Sequence, residues 1–467
     1  MKHAIFAIAV LYLVMQVAAV ADQPLAERRN SLHERWRSLL SLHSPTNAIV
    51  GRIGEETRLC VQGTELDEAR KHAAIETLGR DGRSLWRSRR ESDSLPGAYL
   101  QWIPGQGKAG PGVLYSYVPE TDDEPGGARL VDATDGRVRG EIANTTRFGN
   151  NNSLVADVDE DGTSELLYAD QKTLTCYDLP GLTRRWRFSE GVVFCWSLPA
   201  LFDLDADGRR EIVFGSEYNN ERGDSSMIAI DAKGRRLWRS DGHAEDLGST
   251  PAFPLDIDGD GRVEIVKVGL DLEHRQQQEW NHVHVFDAKG KLLRRIEFGC
   301  TGIALADFDG DGHVEGVGLS NTRDGGHNGR KEIRCVDLVT GERRWATPIP
   351  RAYLDTNSPL VADVDGDGRL EAIVGAGNPS GYARLPNSEP WGDLYVVRHD
   401  GVILERKELP GWPVNLAMCD LEDDKKAELV VVIDGQPGWL GVYDTAVVAT
   451  RRDWPTPLGD SARSGGR

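Results

Sequence analysis

The chain has 467 residues, of which 28% are charged and 39% hydrophobic, and 74 acidic side chains against 55 basic ones leave a formal net charge of -19. No basic patch interleaved with aromatics occurs, so no nucleic-acid partner is expected. Six cysteines (Cys60, Cys176, Cys195, Cys300, Cys335 and Cys419) are too thinly spread for a small disulfide scaffold.

Lys2, an apolar run over residues 4–20 and the small residues Ala19-Val20-Ala21 form the three parts of a secretory signal, so residues 1–21 read as a signal peptide. An uncleaved anchor is the alternative reading of that run. No later stretch is apolar enough to span a bilayer, and a secreted or periplasmic protein without a membrane span is expected. In residues 22–44, Leu32, Trp36, Leu39 and Leu40 fall at helical spacing and Ser44-Pro45 stops the pattern, which predicts a short N-terminal packing helix.

Residues 45–453 repeat with a period near fifty. The most regular unit is an acidic turn: DVDEDGTSE from Asp157, DLDADGRRE from Asp203, DIDGDGRVE from Asp256, DFDGDGHVE from Asp307 and DVDGDGRLE from Asp363. Carboxylates at positions 1, 3, 5 and 9 can converge on one hard cation, and glycine at position 6 permits the sharp turn this needs. A helix–loop–helix calcium site would need Glu at position 12, where Tyr168, Phe214, Lys267, Gly318 and Val374 stand. The runs after each turn (LLYA, IVFG, IVKVG, AIVGA) are β-branched-rich and predict strands.

Between acidic turns lies a second hairpin with a glycine turn, often ending in Trp: 177–186, 230–238, 286–294, 336–345 and 398–405. It also occurs without an acidic partner at 78–87 and 131–140. Four short antiparallel strands per unit predict an all-β propeller of four-stranded blades, eight in number, or seven if the first is incomplete. Residues 454–467 lack periodicity and read as a tail. Cys176 and Cys195 could pair across neighbouring strands; buried thiols are the alternative.

The D-x-D-x-D-G-x-x-E units resemble FG-GAP or VCBS repeats of integrin-α-type propellers. The glycine hairpins, above all Asp337-x-x-Thr340-Gly341-x-x-x-Trp345, resemble repeats of pyrroloquinoline-quinone-type propellers, and the ending Trp454…Asp460…Ser464-Gly465 is similar to tails of exported bacterial propellers of that mixed kind. The resemblance implies Ca2+ as the cofactor and, by position, these ligands: Asp157, Asp159, Asp161 and Glu165; Asp203, Asp205, Asp207 and Glu211; Asp256, Asp258, Asp260 and Glu264. The set continues with Asp307, Asp309, Asp311 and Glu315, then Asp363, Asp365, Asp367 and Glu371. The backbone carbonyls of Thr163, Arg209, Arg262, His313 and Arg369 complete it. A sixth turn keeps Asp420, Glu422, Asp424 and Glu428 but has Lys425 in place of glycine, so either a metal or the lysine neutralises it. About five structural sites are expected, with dissociation constants of roughly 10⁻⁴ to 10⁻³ M. Six divalent ions would reduce the charge from -19 to -7.

The acidic turns and glycine turns share one face of such a propeller. Connections on the other face carry Tyr218, Trp280, His282, His327, Tyr382 and Trp391, an aromatic set suited to stacking on a carbohydrate or meeting a protein. Three function classes compete: a binding or scaffold module, a rhamnogalacturonan-type polysaccharide lyase, and a quinone-dependent dehydrogenase. For the lyase, His243, His282 and Arg351 are candidates that match no motif; the dehydrogenase lacks the adjacent cysteine pair of many such enzymes. No G-x-S-x-G or HExxH occurs, and no catalytic residue is assigned.

Overall fold

In a computed structural model describing residues 32–448 (apart from 68–69, 121–123, 145–151, 180, 191–198, 218–223, 249, 272–280, 301, 321–331, 351–353, 356–358 and 379–390), the chain winds into eight antiparallel sheets. Seven follow one another along the chain, at 43–89, 94–143, 152–188, 200–239, 252–297, 304–348 and 354–409. Each runs in order first to fourth strand, and in the seventh two short strands, Leu354–Asp355 and Leu360–Ala362, both pair with Glu371–Asn378. The eighth combines Pro413–Cys419, Lys426–Ile433 and Trp439–Val448 with a strand from the other end of the chain, His33–Leu39. The fold is an eight-bladed propeller.

The sequence explains why blades stack instead of facing solvent. Second strands such as Glu211–Gly215 are buried on both sides, and their period-2 side chains serve two neighbours. Ile212 and Phe214 pack with Leu154 and Leu167 of the third blade, while Val213 packs with Ala252 and Ile265 of the fifth. Eight such hydrophobic clusters occur among the described residues, each between two adjacent blades.

The ring closes where a helix was predicted. His33–Leu39 is a strand, paired antiparallel to Trp439–Val448 with Trp36 opposite Val442 and Leu39 opposite Trp439. A helix there would leave the outer edge of Trp439–Val448 without a ladder partner; pairing satisfies it and buries Leu32, Leu40 and Leu42. Helical spacing of four apolar residues loses to that closure. No helix occurs among the described residues, so none is long and apolar enough to cross a membrane. The signal segment 1–21, the remainder of the predicted helix up to residue 31, and the tail 454–467 lie outside the described residues.

Tryptophans lock successive blades. Trp186 lies on Gly234 of the next blade and donates its Nε1 hydrogen to the Ala232 carbonyl at 2.8 Å. A Cβ on Gly234, whose φ is 75°, would sit 2.7 Å from the indole, so glycine is required twice over. Trp86 on Gly136 and Trp345 on Gly401 repeat the arrangement, and Trp36 does the same on Gly82 across the closure. Cys60, Cys176, Cys300, Cys335 and Cys419 are buried thiols in no disulfide; Cys195 lies outside the described residues.

Candidate functional site

Each acidic turn joins the first two strands of a blade, and all six share one hydrogen-bond frame. The position-1 carboxylate accepts from the position-6 amide: Asp157 from Gly162, Asp203 from Gly208, Asp256 from Gly261, Asp307 from Gly312, Asp363 from Gly368 and Asp420 from Lys425, at 2.9–3.1 Å. The position-5 carboxylate accepts from the position-7 amide at 2.8–2.9 Å, as Asp161 does from Thr163 and Asp424 from Lys426. Position 9 opens the second strand in the first five turns and is its third residue in the sixth, and its Oε2 accepts from the position-2 amide, as Glu371 does from Val364 at 3.0 Å. The same bond is made by Glu165, Glu211, Glu264, Glu315 and Glu428. Lys425 adopts φ 68° where the other turns have glycine, so the sixth turn keeps the geometry at a steric cost. Position 4 is left-handed as well, at Glu160, Ala206 and Asp423 among others, a demand the sequence pattern did not reveal.

This frame uses one oxygen of each position-9 glutamate and turns the other inward. All six of these glutamates are at most 8% exposed. Oε1 of Glu371, Oε1 of Glu315 and Oδ1 of Asp157 are buried without a hydrogen-bond donor. Ligand atoms of Asp157, Asp159 and Glu165 lie within 4.8 Å of one another, as do those of Asp203, Asp205 and Glu211, of Asp256, Asp258 and Asp260, and of Asp307, Asp309 and Asp311. That is the oxygen spacing around an ion whose bonds are about 2.3–2.6 Å long. Burial first, and then the neighbouring aspartates, pushes Glu315, Glu371 and Glu428 up to about 7, and raises Glu165, Glu211 and Glu264 as well. An all-oxygen, like-charged donor set with an orphaned buried oxygen, as at Glu371, fits a hard divalent cation.

The opposite face is only partly described. Tyr218, Trp280, His327 and Tyr382 lie outside the described residues, as does Arg351. Trp391 opens the strand Trp391–Arg398 of the seventh blade, half-buried. His282 opens a strand of the fifth blade and meets a cluster that sequence reasoning missed. Its Nδ1 lies 3.0 Å from Oε1 of Glu245, which also accepts from Nε of Arg295 at 2.9 Å. Nε2 of His284 lies 3.6 Å from the other Glu245 oxygen, and the His243 and His284 rings meet edge-on at 5.7 Å. Burial would raise the Glu245 carboxyl, but hydrogen bonds from His282 and Arg295 outweigh it and hold it below its usual range. Burial drives His284 down to about 4, so that imidazole is neutral. His282 and His284 alternate along one strand, a signal for a shared face; Glu245 comes from the preceding inter-blade connection, which no local pattern marks.

No protein-family model matches the chain, and no curated protein matches it in sequence. Among solved structures, the V. cholerae biofilm matrix protein Bap1 is similar in shape over 91% of this chain and 92% of that one, with a TM-score of 0.55 at 12% identity. The Dos1 propeller is similar over 90% of this chain and 96% of that one, with a TM-score of 0.55 at 10% identity. At such identities the likeness concerns the fold alone.

Proposed function

We propose that this chain is an exported, calcium-stabilised propeller scaffold of the FG-GAP/VCBS kind, which presents the face opposite its acidic turns to a carbohydrate or protein ligand. The observation that carries the metal part is the common turn frame, which buries one glutamate per turn and at Glu371 leaves an inward-facing carboxylate oxygen without a donor. Calcium would neutralise the converging carboxylates and tie the first two strands of a blade together. The likeness to a biofilm matrix protein is in keeping with a scaffold outside the cell. Screening purified protein for thermal stabilisation by acidic and neutral polysaccharides, with calcium present, tests the ligand part. A glycan that raises the melting temperature supports it, and a flat response across the panel turns the search to protein partners.

One observation favours the polysaccharide lyase as a second reading. His243 and His282, isolated in sequence, converge with Glu245, His284 and Arg295. An imidazole beside a guanidinium could abstract a proton next to a uronate carboxylate. Release of unsaturated uronate from pectic substrates, followed by ultraviolet absorbance, would establish it; no release rejects it.

A further inference from the structure

The eight blades share a feature that divides the six acidic turns into two sets. In every blade the pairing of the third and fourth strands slips by one residue, leaving a single fourth-strand residue in a β-bulge. In the blades bearing acidic turns the bulge residue is Arg185, Leu237, Leu293, Arg344, Leu404 or Arg35, taking the blades in order from the third to the eighth. The arginines enter the acidic turns of their own blades. Arg185 lies 2.6 Å from Asp159, 3.2 Å from Glu165 and 3.6 Å from Asp161, and also binds Asp178. Arg344 lies 2.6 Å from Asp311, 2.9 Å from Asp337 and 3.7 Å from Glu315. Arg35 lies 2.7 Å from Glu422 and 3.4 Å from Glu428, and binds Asp444.

Leucine occupies the bulge in the other three. Leu237 and Leu293 are each 51% exposed, unusual for leucines, and bring no charge to the Asp203 and Asp256 turns. In the seventh blade Arg398 stands opposite Glu371, but Asp400 holds its guanidinium in a two-bond fork at 2.7 and 2.9 Å. Glu371 Oε1 there keeps no donor.

Resting on the calcium reading above, we propose that the bulge residue decides occupancy: the Asp203, Asp256 and Asp363 turns take a divalent cation, and the Asp157, Asp307 and Asp420 turns carry an arginine in its place. A guanidinium within hydrogen-bonding reach of the same carboxylates repels a doubly charged ion and occupies the oxygens that would ligate it. The sixth turn, Lys425 and all, belongs to the arginine set: Lys425 is exposed, and Arg35 meets Glu422 and Glu428.

Equilibrium dialysis of the whole protein at about 10 mM free calcium, well above the expected dissociation constants, counts the ions bound per chain. The expected count is three for the natural protein and four for Arg185→Leu and for Arg344→Leu. Leu237→Arg, a change at a half-exposed position that leaves the core alone, should bind two, and circular dichroism verifies that each variant is folded. Five or six ions on the natural protein, or counts that the variants leave unchanged, would overturn the bulge rule while leaving calcium binding standing. No bound calcium in any variant would instead overturn the calcium reading itself.

Discussion

Glu371 shows how much one residue is asked to do. Its Oε2 holds the turn by accepting the Val364 amide, while Oε1 sits buried without a donor among the carboxylates of Asp363, Asp365 and Asp367. Together with Glu315 and Glu428, it is pushed from an ordinary 4.5 up to about 7 by burial and then by those neighbours. The sign follows from linkage: an acid whose folded-state pKa is raised stabilises the fold fully below its unfolded value and loses that contribution as pH rises through the folded value. In chelator, the melting temperature should therefore fall between about pH 4.5 and pH 7, and excess calcium should remove the share of the fall that Glu371 contributes while leaving that of Glu315 and Glu428. Glu371→Gln should be neutral or stabilising in chelator and cost about 1–3 kcal/mol of the calcium-dependent stabilisation, so its melting curve and the natural one exchange order when calcium is added. The carboxylates were legible in the sequence because their spacing is fixed by the turn itself. The arginines stand just before the Trp of the hairpin repeat, as Arg185-Trp186 and Arg344-Trp345 do, but that they enter the turns was not legible, because it depends on the bulge in strand register.

At the scale of the element, Trp36 is the instructive case. Read alone, Leu32, Trp36, Leu39 and Leu40 look like one face of a helix. Read beside Arg185-Trp186 and Arg344-Trp345, the dipeptide Arg35-Trp36 is the fourth-strand signature, displaced to the far end of the chain. The hairpin repeat therefore held the information, but connectivity concealed it: every other fourth strand follows its own third strand, and this one precedes it by some four hundred residues. Trp36→Ala would remove the contact with Gly82 and the bond to the Arg80 carbonyl, and should cost about 2–4 kcal/mol in chemical denaturation. Gly234→Ala should destabilise too, by at least about 1–2 kcal/mol, because φ is 75° and Trp186 blocks the added carbon. A chain beginning at residue 40 keeps every other strand, yet should fail to unfold cooperatively, since Trp439–Val448 then presents an open edge.

For the whole molecule, eight interfaces between blades make one closed core, and the acidic turns decorate one rim of it. The number of blades was legible because the repeat is nearly regular; the polar cluster around Glu245 was not, because it is assembled from a connection and two strands whose meeting depends on the ring. The charge of -19 joins these scales. Carboxylates crowded into six turns oppose the compact state unless cations, metal or arginine, sit among them. Each occupied metal site should add about 1.4–2.7 kcal/mol at 10 mM calcium for dissociation constants of 10⁻³ to 10⁻⁴ M. The most direct measurement is therefore thermal unfolding of the purified protein in 10 mM calcium and in excess chelator at one pH and ionic strength. The expected result is a melting temperature several degrees higher in calcium, rising further with its concentration. Superimposable curves would contradict the account.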